Sequence, residues 1–465
     1  MPRPRIPAAV AAHHPATAQA ALEVLEDGGH AADAMVAGIL ATCVAETTMT
    51  GLGGGGHALV WDAERGRAEH LDFFVAIPGL EGRPVTAEHV EVPIHFATEV
   101  IPYSIGVRSV GVPGIAAGCA ALAERHGTLP WAHLVEPARR MARTGTVLLG
   151  THATVLEMLA PVLTLNEGAD VYTRDGQLLQ AGDVLRQPGL LRALDLLVDE
   201  GPRTFRDGTI AQAAVRLMAE RGGPLTAVDL AAYRAEWRAP HQVEHAGVGL
   251  HGRRDLSGIL DTLAALPSQR GCSGPQQARA LARVLAGPDA DGHTTNTAVV
   301  DRHGNAVVAT TSLGLGSADW LPGLDFQFNS MLGEVDLAIG PLVPGERMAS
   351  MTCPTVAVDD EGLLLVAGAA GGARIRSALV QTLSGVVGEG LDLETAIERP
   401  RLHAVPPVVH VEPDFDEAAA AALAADGHRV TRWGTRHHYF GGVSGVDRHG
   451  PAADSRRDGA CGRPD

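Results

Sequence analysis

The sequence predicts a layered α+β architecture. Three observations carry this: two apolar helical blocks open the chain, a strand-rich stretch with two hairpins begins near residue 294, and no Pro/Ser-rich or charged linker divides the 465 residues. Helices, then strands, then helices around one sheet system are the order such a fold requires. The core that these layers bury must rest on Ala, Val and Leu, because hydrophobic content is 45% while aromatics make up only 4%.

Residues 16–27 show helical periodicity and stop at Gly28-Gly29, a helix-ending pair. A second apolar helix spans 31–45 and runs into Thr50-Gly-Leu-Gly-Gly-Gly-Gly56. Gly51, Gly53 and Gly56 match a dinucleotide-binding fingerprint by letter, but that motif follows a strand and opens a helix. Here a helix precedes and the strand 58–61 follows, so close backbone packing is the better account of the glycines. A further strand is expected at 68–74. Residues 112–145 and 209–235 read as mainly helical, with turns at 127–130 and 222–224, and residues 240–292 are weakly patterned.

Composition excludes several functions. The formal charge of −17 opposes nucleic-acid and anionic-membrane partners. All 37 basic residues are arginine, which removes every lysine-dependent mechanism. The five cysteines are scattered and form no Cys-x-x-Cys, and neither His13-His14 nor His437-His438 has metal-ligand spacing. No metal and no cofactor are expected. The arginine-containing N-terminus lacks an apolar signal core, and no apolar run reaches about 18 residues, so a cytoplasmic protein is expected.

Residues 291–313 hold the candidate chemistry. Asp301-Arg-His-Gly-Asn305 is a hairpin turn, and pairing centred on it sets Thr294 opposite Ser312, to within one residue. A cut between His293 and Thr294 would place a hydroxyl and a free α-amine on one residue, a nucleophile carrying its own base. A second hairpin, 355–358 with 363–366, runs into Gly371-Gly372 and a helix at about 374–388. A glycine pair opening a helix presents free N–H groups, so Gly371 and Gly372 are candidates for an oxyanion hole.

The chain resembles the γ-glutamyltransferase (γ-glutamyl transpeptidase) family of N-terminal-nucleophile hydrolases. The resemblance runs from about residue 7 to 460. It is carried by Gly28-Gly-His-Ala-Ala-Asp33, Thr50–Gly56, Ser109-Val-Gly-Val-Pro-Gly114, Asp229-Leu-Ala-Ala-Tyr233, Thr294-Thr295, Asn329-Ser-Met-Leu-Gly-Glu334, Ser350-Met-Thr-Cys-Pro-Thr355, Gly371-Gly-Ala-Arg374 and Asp454-Ser-Arg-Arg-Asp-Gly459. It implies a four-layer αββα sandwich and a precursor that cuts itself. The products would be a large segment, 1–293, and a small segment, 294–465, that stay associated as a heterodimer. It also implies Thr294 as nucleophile, Ser312 as its hydroxyl partner, Gly371 and Gly372 as oxyanion hole, and a small-molecule substrate.

The departures fall in the substrate pocket. The arginine that grips the substrate carboxylate in the family is Phe74 here, within Leu71-Asp-Phe-Phe-Val75. The paired serines become Ala349 and Ser350, and an asparagine after the hydroxyl partner becomes Gly314. The acidic position for the substrate amine is kept as Glu334, and Met331 adds apolar surface. Asn296 replaces a histidine after the paired threonines. The lid segment, 336–347, is short and suggests an open pocket. Gly252-Arg-Arg-Asp-Leu-Ser-Gly258 replaces a longer family loop. The expected activity is therefore acyl transfer or amide hydrolysis on a non-γ-glutamyl substrate. The alternatives are a C–C bond hydrolase of natural-product pathways such as 4-alkyl-proline (antibiotic) biosynthesis, a conventional glutathione hydrolase, and an uncleaved inactive scaffold.

Overall fold

The computed structural model describes residues 6–88, 90–96, 99–287 and 293–465. Asp291 and Gly292, at the head of the hairpin stretch, lie outside the described residues. Thirteen strands build two sheets, and we number them in chain order. They are β1 (Ala9–Ala12), β2 (Gly55–Asp62), β3 (Arg67–Phe73), β4 (Glu236–Arg238), β5 (His241–His245), β6 (Val248–Gly252), β7 (Thr294–Val300), β8 (Ala306–Ser312), β9 (Thr355–Asp359), β10 (Gly362–Ala370), β11 (Gly442–Asp447), β12 (Pro451–Ala453) and β13 (Ala460–Gly462). The first sheet has the order β4-β3-β2-β8-β7-β1-β13, and the second β5-β6-β9-β10-β11-β12.

Side-chain alternation along β7 shows how the layers form. Ala298 and Val300 face the second sheet, where they meet Val356, Val366 and Val446. Val299, one step out of phase, faces the helices of the first outer layer: α1 (Pro15–Glu26), α2 (Ala31–Ala45), α3 (Ile115–His126) and α4 (Trp131–Thr144). On the far side of the second sheet, α5 (Arg374–Leu383) joins the helices Ile259–Ala265, Gly274–Leu285 and Glu417–Ala425 over a separate core. The result is the expected αββα sandwich. Every residue of α2 is buried, because helices and a sheet surround it.

The hairpin register is as the turn dictates: Thr294 pairs with Ser312 and Val300 with Ala306. The glycine run before β2 is explained by close packing. A Cβ added at Gly53 or Gly54 would collide with the carbonyl oxygens of Gln327 and Ser312. Three features differ from expectation. The short, alanine-rich β1 reads as nothing in particular, yet it pairs with both β7 and β13. Residues 240–292 are well structured among those described. Their strands alternate buried and exposed positions with polar residues outward, which flattens the hydropathy signal. The helix at 374 is regular only to Leu383 and then widens into a π-turn over Ser384–Glu389.

Candidate active site

Thr294 begins β7 with its side chain on the inter-sheet face, the face Asn296 shares. Its Oγ1 accepts a hydrogen bond of 2.9 Å from the Gly371 N–H. Gly371 and Gly372 both have positive φ, at +131° and +59°, and their carbonyls begin the α5 turn. On the paired strand, the Ser312 hydroxyl donates a short hydrogen bond to the His293 carbonyl oxygen. The Gly314 N–H donates to Ser312 Oγ at 3.1 Å. That bond occupies an oxygen lone pair and leaves the serine proton aimed at the carbonyl. The carbonyl of the His293–Thr294 bond thus carries one donor, and the Thr294 hydroxyl oxygen carries another.

The Thr294 strand is clamped from behind. Thr295, pointing to the opposite face, donates to the Glu46 carboxylate at the end of α2, and Thr17 donates to the other oxygen at 2.7 Å. Burial pushes the Glu46 carboxyl up to about 7, against the hydroxyl bonds and the nearby Arg457 charge. Arg457 reaches the Thr294 carbonyl at 3.3 Å. Asn296 is fully engaged: its side chain accepts from Thr310 at 2.8 Å and donates to Ser444 at 2.8 Å, and its N–H meets His13 Nδ1 at 3.3 Å. Burial, assisted by Arg457 and Arg374, holds the His293 imidazole down at about 3, so it is neutral.

The cavity above Thr294 measures about 30 Å³ and is lined by Phe74, Thr294, Ser312, Met331, Glu334, Leu337, Ser350, Met351, Thr352, Gly372 and Ile375. Most of the residues expected from sequence therefore converge. Ala349 does not line it; the half-buried residue sits on the loop just before Ser350. Gly314 lies behind the wall with φ +66°, and a Cβ added there would overlap the Glu334 carboxylate. Loss of the side chain at 314 gives Glu334 its place. The lid is short, but the pocket is narrow rather than open. Phe74, Met331, Leu337 and Met348 pack together and fill the space a shorter lid would have left.

Phe74 follows β3 and is buried, stacked on His57 with centroids 5.3 Å apart. Among the described residues no arginine lines the cavity. Two arginines close to the wall are occupied. Arg253 donates to the carbonyls of Ser350 and Thr352 at 2.9 and 3.0 Å. Arg347 lies 3.4 Å from Asp72 and over the Tyr233 ring. Glu46, Arg457, His13 and Arg253 escaped sequence reasoning. Arg457, Arg253 and His13 stand in segments singled out in the sequence, but without these roles, and Glu46 in none.

An αββα sandwich with a threonine at the head of an internal sheet strand, its hydroxyl held by a glycine N–H, defines an N-terminal-nucleophile hydrolase. The comparisons narrow this. The gamma-glutamyltranspeptidase family profile matches residues 17–267 and 260–462, and the chain belongs to that family. It is 28% identical to the acylase ACY 1 proenzyme of Pseudomonas sp. strain V22, over 91% of this chain and 87% of that one. It is 27% identical to the glutathione hydrolase proenzyme of Escherichia coli K12, over 89% and 84%. The solved cephalosporin acylase from Bacillus halodurans shares its fold, with a TM-score of 0.82 and 22% identity over 99% of this chain and 96% of that one. The protein is thus an enzyme of the hydrolase/acyltransferase type. Among the described residues no helix is long and apolar enough to cross a membrane.

Proposed function

We propose that the chain cuts itself before Thr294, and that Thr294 then acts as nucleophile on an amide whose acyl group is not γ-glutamyl. The observation that carries this is the cavity wall. By the resemblance, Phe74 stands where the family grips a carboxylate, and among the described residues no cation lines the space. A buried carboxylate without its partner is costly to bind, by about 2–5 kcal/mol. The acylase proenzyme among the relatives is in keeping with a different acyl group.

In the uncut chain, Thr294 Oγ attacks the His293 carbonyl carbon. Ser312 and its proton take the developing oxyanion, while the Gly371 N–H favours the anionic form of the attacking oxygen. The C–N bond breaks, the Thr294 hydroxyl proton passes to the nitrogen, which leaves as the Thr294 amine, and an ester joins His293 to Thr294. Water opens the ester and returns the hydroxyl. The new α-amine, with an ordinary pKa of about 7.7–8.0, is the base for the next round. Thr294 Oγ, its proton taken by the α-amine, then attacks the donor carbonyl, and the Gly371 N–H passes from Oγ to the developing oxyanion beside Gly372. The donor's amine departs with the proton, and the acyl-threonine passes its acyl group to water or to another amine. Residues 1–293 and 294–465 become the two associated subunits.

The test uses purified protein beside Thr294→Ala, followed by intact mass and N-terminal sequencing. Two fragments with Thr294 leading the smaller are expected in the wild type and a single chain in the variant. Hydrolysis of simple acyl amides with poor turnover of γ-glutamyl amides is expected next. A wild-type chain that stays whole, or one that prefers γ-glutamyl donors, would refute the proposal.

A further inference from the structure

In an acyl-enzyme on Thr294, the acyl chain is bonded to the hydroxyl oxygen and must occupy the cavity beside it. At about 30 Å³, that cavity is small beside ordinary ligand pockets of roughly 300–1,000 Å³. A longer acyl group has to leave it. The apolar side of the wall is Phe74, Met331 and Leu337, and Leu337 belongs to a strap, residues 335–345, that continues outward.

The strap's composition is unusual for an exposed loop. Only Asp336 of its eleven residues is charged. Val335 and Ile339 are 70% and 65% exposed, Leu342 and Val343 43% and 44%, and Leu80 beside Gly345 is 44% exposed. Its ends are stapled. The Gly345 N–H donates to the Ile77 carbonyl at 2.8 Å, and the Met348 N–H to that of Val75 at 3.0 Å, on the run that follows Phe74. At the other end, the Leu337 N–H donates to the Glu334 carbonyl at 2.9 Å. Apolar surface is therefore held out to solvent on the strap whose Leu337 forms part of the pocket wall. Clustered exposed apolar residues mark a binding surface. A net charge of −17 makes an anionic bilayer a poor occupant.

Resting on the acyl-Thr294 reading, we infer that the acyl donor carries a long aliphatic chain that leaves the pocket past Phe74 and Leu337 and lies across the strap, against Ile339 and Leu342. The strap covers one side of the chain, so each added methylene gains less than the roughly 4-fold of full burial, or about 2-fold.

The experiment compares kcat/KM of the processed enzyme on p-nitroanilides of acetic, butyric, hexanoic, octanoic and decanoic acids, below micelle-forming concentrations. The expected gain is about 2-fold per methylene beyond hexanoyl. In the double variant Ile339→Ser/Leu342→Ser that gain falls towards none. It persists in Val228→Ser, a change at an equally exposed apolar residue outside the strap. Turnover that does not rise with chain length overturns the inference while leaving the acyl-Thr294 reading standing. So does a double variant that keeps the gain but loses a self-association seen in the wild type by sedimentation, since the strap is then a subunit interface. Failure to turn over any donor, with no acyl-Thr294 adduct by mass after normal self-cleavage, overturns both.

Discussion

Ser312→Ala isolates the donor on the His293 carbonyl, at the bond proposed to be cut. The serine hydroxyl is the group that points a proton at the His293 oxygen, and the Gly314 N–H at 3.1 Å fixes that direction. Both residues at the bond are buried, so water does not replace the missing donor without cost. Removing one preorganised donor from an oxyanion costs about 3–4 kcal/mol, or roughly 10²–10³ in rate. The loss of the ground-state hydrogen bonds adds a stability penalty of about 1–2 kcal/mol, which leaves a chain of ordinary stability folded. The assay is pulse synthesis in a cell-free system, with quenched samples followed from one chain to two fragments by intact mass. Ser312→Ala is expected to slow conversion by 10²–10³-fold, and Ser312→Thr by less than about 10-fold. Self-cleavage of a folded Ser312→Ala at the wild-type rate would refute the argument, because the carbonyl would then be activated from elsewhere.

Two further outcomes test the pocket and the clamp. Phe74→Arg returns a cation beside Glu334 and gives up the stack on His57; kcat/KM on γ-glutamyl-p-nitroanilide should rise by about 30-fold or more. A folded variant with no gain would show that Phe74 is not what turns this substrate away. Glu46 is neutral in the fold up to about pH 7, whereas it ionises near 4.5 when unfolded. Its contribution is therefore full below about pH 4.5 and is lost as pH rises through 7. Glu46→Gln does not titrate, so its stability relative to wild type should improve between pH 5 and 8, by at most about 3 kcal/mol. Urea midpoints at the two pH values read this, and a constant difference would refute it.

How far the site was legible depends on whether a residue's partner is set by local geometry. The Thr294–Ser312 pairing follows from a five-residue turn, because antiparallel register propagates from it with a period of two. The glycine pair at 371–372 is read from the strand-to-helix transition it must make. Phe74 stands out against its family position. Glu46 is different: it ends a mainly apolar helix, and its meaning comes from Thr295, 249 positions away. Arg457 and the Thr294 carbonyl are 163 positions apart. Strand β1 is four small apolar residues, a composition that a helix would carry equally well, and only its two neighbours make it a strand.

That strand has a consequence for the processed protein. β1 belongs to the segment before Thr294, while β7 and β13 on either side of it belong to the segment after. Cleavage would leave the sheet stitched alternately from two polypeptides, so neither can depart without tearing ladders from the other. Before the cut, refolding is loop closure within one chain, whose entropic cost grows only with the logarithm of length. After it, the tether and its effective concentration are gone, and two fragments with exposed apolar edges must meet in solution. Activation would then be a one-way commitment. Each molecule would acquire its nucleophile by giving up easy refolding, and its working life would be set by the rate at which that shared sheet first opens.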